Sequence, residues 1–255
     1  MRNISELVKS ALDIVKFLKP KPCPFTLIRI GGELDGAYLV PDDLNGITDC
    51  FSPGTADRKD FEDELLDNFG IGSHMCDRSS SPERFRTPLR PGQTFRKIWL
   101  GPADNDENIS LSSWVEAEAS GSPDLLLQMD IEGAEYETIL ATANDVLSRF
   151  RFIVMELHGL GRLNRHGPLQ FMLPFFEKLA AHHHCVHLHP NNCSSQVEIG
   201  ISGYWIPRVL EVTLLRKDRF AGNTALIPPQ VPHPLDIEYN VRGKQPQAMG
   251  RNWTR

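Results

Sequence analysis

The sequence predicts an α/β protein built on a mainly parallel sheet. From residue 49 onward, short apolar runs alternate with amphipathic helical stretches, the pattern of βαβ units. Runs such as LLLQM (125–129) and FIVM (152–155) are apolar nearly throughout, as strands covered on both faces must be. Polar residues collect just after those runs, at the edge where open parallel sheets bind their ligands.

The first element is a helix, because Ile4, Leu7, Val8, Ala11, Leu12, Ile14, Val15 and Leu18 follow a helical stripe. KPKPCP (19–24) ends it, since proline lacks an N–H and restricts its predecessor. TLIRIGGELDGAYLVPDDL (26–44) reads as two short strands around a glycine-rich turn. DCFSPGT is the first strand of the repeating pattern, and DFEDELLDNFG its helix, with Phe61, Leu65 and Phe69 four apart and Gly70 as the stop. SHMCD and RKIWLGP are expected as the second and third strands, with LSSWVEAEA a short helix and DLLLQMD the fourth strand. EYETILATANDVLSRF is expected as one helix and RFIVMELHG as the fifth strand. PLQFMLPFFEKLAAHH is a helix that Pro174 should kink. CVHLHPNNC and RVLEVTLLRK complete seven strands.

The chain therefore divides into an N-terminal helix and turn cap (1–48), a main domain (49–222) and a proline-rich, non-periodic tail (223–255). The tail is expected to wrap the surface or to be partly disordered. Residues 78–97 carry six basic side chains against one glutamate and read as a mobile solvated loop, or alternatively as a lid or a contact for an anionic substrate.

A net charge of −6 argues against nucleic acid as the main partner, because phosphate binding requires a basic face. No run approaches the roughly 18 uncharged apolar residues of a membrane span. Glu6, Lys9, Asp13 and Lys16 interrupt any signal-peptide core. The five cysteines contain no C-x-x-C pair and read as reduced thiols, so the expectation is a cytoplasmic protein. Nothing in the sequence indicates an oligomeric state.

Residues two apart on a strand share a side. Asp130/Glu132, Glu156/His158 and His187/His189 are thus three polar pairs at three strand ends, and they mark this edge as a candidate active site. Either carboxylate of the first pair could instead complement the dipole of the following helix. The His182–His184 run reads as the exposed end of a helix, and Asn191–Asn192 as a turn or a substrate contact. Arg29 and Asp35 flank the GG turn, to pair with each other or to close over the site. Trp205 could stack on a sugar or fill a core. In SPGTAD, Gly54 would let backbone approach a ligand, and Asp77, at the second strand's end, stands where an acid grips ribose hydroxyls. The G-x-G-x-x-G fingerprint is absent, and Asp57 would repel a pyrophosphate. That disfavours NAD and leaves room for S-adenosylmethionine.

RIGGELDGAYLVPDDL, SPGTADRKDFEDEL with CDRS, and above all LLLQMDIEGAEYETIL followed by FIVMELHGL resemble the FkbM-type S-adenosylmethionine-dependent methyltransferases, from about Leu27 to Arg219. The resemblance implies a Rossmann-like class I methyltransferase fold, seven strands mostly parallel with the last antiparallel. It implies O-methylation of a sugar, polysaccharide or secondary metabolite, with Gly54 and Asp77 contacting S-adenosylmethionine. Asp130, Glu156 and His158 also resemble in location the ligands of metal-dependent catechol-type O-methyltransferases. The expected divalent-metal ligands are accordingly Asp130, Glu156 and His158. In a metal-free version His158 or His189 is the base, and Asp130 orients it or the substrate. Two other readings stay open: a metal-dependent glycosyltransferase using Asp130-x-Glu132, and a non-catalytic Rossmann-like scaffold.

Overall fold

The computed structural model describes residues 4–33, 35–121, 123–199, 203–238, 240–250 and 253. Seven strands form the central sheet: β1 (Asp49–Pro53), β2 (Gly72–Cys76), β3 (Gln93–Arg96), β4 (Leu125–Met129), β5 (Phe150–His158), β6 (His183–Pro190) and β7 (Val209–Arg216). Their order is β6-β7-β5-β4-β1-β2-β3. All contacts from β5 to β3 are parallel, whereas β7 runs antiparallel to both β5 and β6. This mixed α/β arrangement is compatible with a Rossmann-like fold. The chain leaves the β1–β2–β3 half and returns to start β4 on the other side of β1, so the switch point lies between β1 and β4.

Alternation along each strand sorts the two cores. Phe51, Leu127, Met129, Ile153 and Met155 face helices α1 (Ile4–Leu18), α3 (Leu111–Glu118), α4 (Glu135–Ala141) and α6 (His166–His182). Cys50, Leu126, Phe152 and Val154 face the hairpin Leu27–Ile30/Tyr38–Pro41 and α2 (Asp60–Phe69). On α1, Ala11, Ile14, Val15 and Leu18 are buried, and they share the first core with Trp253 of the tail.

Several expected elements differ. The third sheet strand is Gln93–Arg96, not RKIWLGP. Trp99–Gly101 instead pairs with Asn108–Ser110 in a small separate ladder, because His74 to Cys76 take their neighbours from Thr94 to Arg96. The long helix expected after β4 breaks at Thr142–Ala143 into α4 and α5 (Asn144–Arg149), both capping positions being extended. Helix α6 continues through Pro174.

Residues 78–97 are not a free loop. Arg84 pairs with Asp57 at 2.8 Å, Arg90 with Asp67 at 2.6 Å, Arg78 with Glu107 at 2.7 Å and Arg96 with Glu118 at 3.3 Å. Those four charges are already answered by carboxylates, which disfavours an anionic substrate there. His183 is buried, with Nε2 on the Phe150 carbonyl at 2.7 Å, so the histidine run is not simply an exposed helix end. The tail is docked: the Trp253 Nε1–H donates to the Trp205 carbonyl at 2.9 Å, and the Asn192 amide donates to Val241 and Lys244 carbonyls. All five cysteines are free thiols. Among the described residues no helix is long and apolar enough to cross a membrane.

Candidate functional site

Two cavities open beside the switch point and share Asp35, Gly54, Ala56 and Asp130. The larger, about 520 Å³, lies at the carboxyl ends of β1, β2 and β4. Asp77, Ser79, Trp99, Leu100 and Asn108 form part of its wall. The Asp77 carboxylate is 4% exposed and accepts from the Ala56 N–H at 2.9 Å and from Ser79 N–H and Oγ at 2.7 Å each. It thereby ties the β1 turn to the end of β2 and faces the cavity from their junction. Trp99 is 42% exposed on this wall, a flat apolar surface free to stack.

Gly54 serves a backbone purpose. Its φ is +84°, and a Cβ there would overlap the Asp130 carbonyl. The glycine lets the β1 turn lie against the end of β4 and puts Asp130 between the two cavities. Two residues further along the turn, Ala56 is itself left-handed at φ +47°, as is Glu132 at φ +57°. Such conformations cost about 1–3 kcal/mol each and gather at functional sites.

The strand-end pairs do not all meet. β4 stops at Met129, so Asp130 and Glu132 lie beyond it, and the Glu132 side chain is exposed. His158, the last residue of β5, brings the cluster together. Its Nε2 lies 3.4 Å from Glu132 Oε2, 3.7 Å from Glu156 Oε1 and 3.9 Å from Asp130 Oδ1. Its Nδ1 meets Glu135 Oε1 at 2.9 Å, and Glu135 is fully buried at the start of α4. That contact leaves Nε2 directed at the three carboxylates. The Tyr136 hydroxyl donates to the His158 carbonyl at 2.8 Å and holds the strand end itself.

Burial alone would lower the His158 imidazole. The hydrogen bond and charge of Glu135, with Asp130 and Glu132, outweigh it and hold the ring above its ordinary value. Burial pushes Asp130 upward against the pull of His158, and the charges of Glu132 and Glu135 add to the rise. Glu156 is raised by burial and then by Asp130 and Glu211. Asp130 Oδ1 is a buried atom with no hydrogen-bond partner among the described residues.

A second group lies on the hairpin side. Glu156 stands in register with Glu211 on β7, and Glu211 with His189 on β6. His189 is thus separated from His158 by β7 and pairs with Asp236 of the tail at 3.7 Å, as His187 does at 3.0 Å. Asn191 donates to Glu156 at 3.0 Å, so it acts on a site residue. Arg29 donates to the Gly32 and Leu235 carbonyls instead of pairing with Asp35. Trp205 is half exposed and fills no core.

Glu135, Glu211, Asp236 and Asn240 escaped the sequence reading. Glu211 carried a signal, as a lone acid inside the apolar VLEVTLL; the tail residues carried none.

No curated protein matches the chain. Residues 77–183 match the family described as the methyltransferase FkbM domain, a segment that holds Asp77, Asp130, Glu156 and His158.

Proposed function

We propose that the protein is an S-adenosylmethionine-dependent O-methyltransferase acting on a hydroxyl of a sugar, polysaccharide or secondary metabolite. The observation that carries this reading is the position of Asp130, shared by a large cavity with Asp77 on its wall and by the His158 cluster. The larger cavity fits the cofactor. Asp77 offers acceptor oxygens for ribose hydroxyls and Trp99 an aromatic face, and among the described residues no lysine or arginine lines the cavity as a phosphate cradle, which an adenosyl sulfonium does not need. When bound, S-adenosylmethionine supplies a methyl group on a positively charged sulfur.

In the transfer, the acceptor oxygen forms a bond to the methyl carbon as the carbon–sulfur bond breaks, giving a methyl ether and S-adenosylhomocysteine. Alignment of the two partners is the larger task, and the hydroxyl proton is the smaller one. His158 Nε2 takes that proton, and Glu135 at Nδ1 holds the ring and balances the imidazolium. Asp130, which lines both cavities, accepts a hydrogen bond from a second hydroxyl of the acceptor. The same set supports a metal-assisted version, because donor atoms of Asp130, Glu132 and His158 lie within 4.8 Å of one another. A cation there would polarise the acceptor oxygen, with Glu156 behind it. The match of residues 77–183 to the methyltransferase FkbM domain favours this reading over a metal-dependent glycosyltransferase.

Calorimetry with S-adenosylhomocysteine, with and without chelator, tests the proposal; absence of binding in both conditions would overturn it. Asp77→Ala is expected to weaken that binding by at least about tenfold, the scale of one lost charged hydrogen bond at about 1.5–3 kcal/mol. Unchanged affinity would move the ribose contact elsewhere.

A further inference from the structure

The turn that follows His158 is basic. Gly159 leads into the short helical turn Leu160–Asn164, and Arg162 packs back on it, its Nε 3.4 Å from where a Cβ of Gly159 would stand. Arg208 arrives from the neighbouring strand: Val209 is in register with His158, and the Leu160 N–H donates to the Arg208 carbonyl at 3.1 Å. A Cβ on Gly161 would come within 2.8 Å of Arg208 Nη1. Gly161 has no left-handed backbone to maintain, so the room left by its missing side chain goes to that guanidinium. Two arginine heads are thereby seated on one turn, just beyond the residue proposed as base.

Both arginines are exposed, and among the described residues no carboxylate reaches ion-pair distance of either. Arg78, Arg84, Arg90 and Arg96, by contrast, are each answered by an acid. In a chain of net charge −6 whose carboxylates gather around His158, the turn is a local reversal of sign. Trp205 belongs to the same surface. Its strand, Trp205–Pro207, pairs with Gln196–Glu198 and packs against Leu160–Asn164, and the Asn164 amide donates to the Glu198 carbonyl at 2.7 Å. The indole is 49% exposed although the next residue, Ile206, is fully buried, so an aromatic face meets solvent on the strand that leads into Arg208.

We propose that Arg162, Arg208 and Trp205 form an acceptor subsite for a sugar that carries an anionic group, a carboxylate or a phosphate. The inference rests on the methyltransferase reading of the His158 site. A guanidinium meets either oxyanion with paired N–H donors, and an indole covers the apolar face of a sugar ring. The two signs of charge also fix orientation. Asp130, Glu132 and Glu156 repel the anionic group from the transfer centre while the arginines hold it outside, so a neutral hydroxyl is turned toward His158.

The test is titration of the full chain with glucuronate, glucose 6-phosphate and glucose, read by saturation-transfer NMR. At least one anionic sugar is expected to bind about tenfold more tightly than glucose at low ionic strength, and to lose that advantage as salt is raised. Which of the two binds distinguishes carboxylate from phosphate. Arg162→Gln and Arg208→Gln should each remove most of the preference, and Trp205→Ala should weaken all three sugars. Arg86→Gln, on the exposed loop between β2 and β3 at the far end of the sheet, should change nothing. Equal binding of the three sugars, a preference that survives both arginine variants, or the same loss in Arg86→Gln overturns the proposal. Calorimetry with S-adenosylhomocysteine on the same samples separates the two readings. Cofactor binding without a sugar preference overturns the subsite alone. A sugar preference without cofactor binding removes the methyltransferase reading and the acceptor role with it.

Discussion

Replacing His158 by alanine is expected to leave S-adenosylhomocysteine affinity unchanged and to lower turnover by about 10²–10⁴-fold, the usual contribution of a positioned base. The imidazole is outside the wall of the large cavity, which explains the spared affinity. Its Nε2 is directed at the carboxylates of Asp130, Glu132 and Glu156 because Glu135 occupies Nδ1. Glu135→Gln keeps shape and hydrogen-bonding reach but removes the charge that raises the ring, so it should shift the pH profile more than it lowers the maximum rate. The sign follows from the base role: neutral His158 accepts the proton, so the rate rises with pH. The midpoint should lie above 6.5 in the native chain and move down in Glu135→Gln. Release of S-adenosylhomocysteine, measured against pH with a hydroxyl compound that supports turnover, checks both. An unshifted profile in Glu135→Gln would remove His158 from the role of base.

Gly54→Ala is expected to have the largest effect on the folded state. Its added methyl would run into the Asp130 carbonyl, and the residue would have to hold φ +84°. The left-handed conformation costs a non-glycine residue about 1–2 kcal/mol. Overpacking against backbone adds about 1–3 kcal/mol, because no flexible side chain is there to yield. At about 2–4 °C per kcal/mol for a domain of this size, the melting temperature should fall by roughly 5–15 °C. The β1 turn carries Ala56 and packs against Asp130, both of which line the two cavities, so cofactor affinity should fall with it. Gly133→Ala provides the contrast. Gly133 shares a positive φ of +110° but has open space around its Cβ position, so only the conformational penalty applies. Equal melting shifts in the two variants would show that the close approach to Asp130 is not what position 54 requires.

The periodicity of the sequence was enough to place six of the sheet's strands, because burial on both faces leaves an uninterrupted apolar run and little room for another reading. It failed at the third strand for the same reason in reverse. QTFR is an edge strand, half buried and polar, whereas IWLG is apolar without belonging to the sheet. The polar strand ends were legible too, since Asp130, Glu156 and His158 interrupt runs that otherwise exclude charge. The position of Asp77 just after the second strand was legible from its distance from the glycine turn.

What the sequence determined by itself was the alternation of strands and helices and the edge on which polar groups gather. Tertiary structure decided which of those groups meet. His158 joined Asp130 and Glu132 through the buried Glu135, while His189, placed beyond β7, fell to the tail's Asp236. It also gave Gly54 its reason, a backbone contact with a residue 76 positions away. Local pattern reports how each segment is buried, but a contact between segments depends on strand order, and strand order is settled only when the whole chain packs.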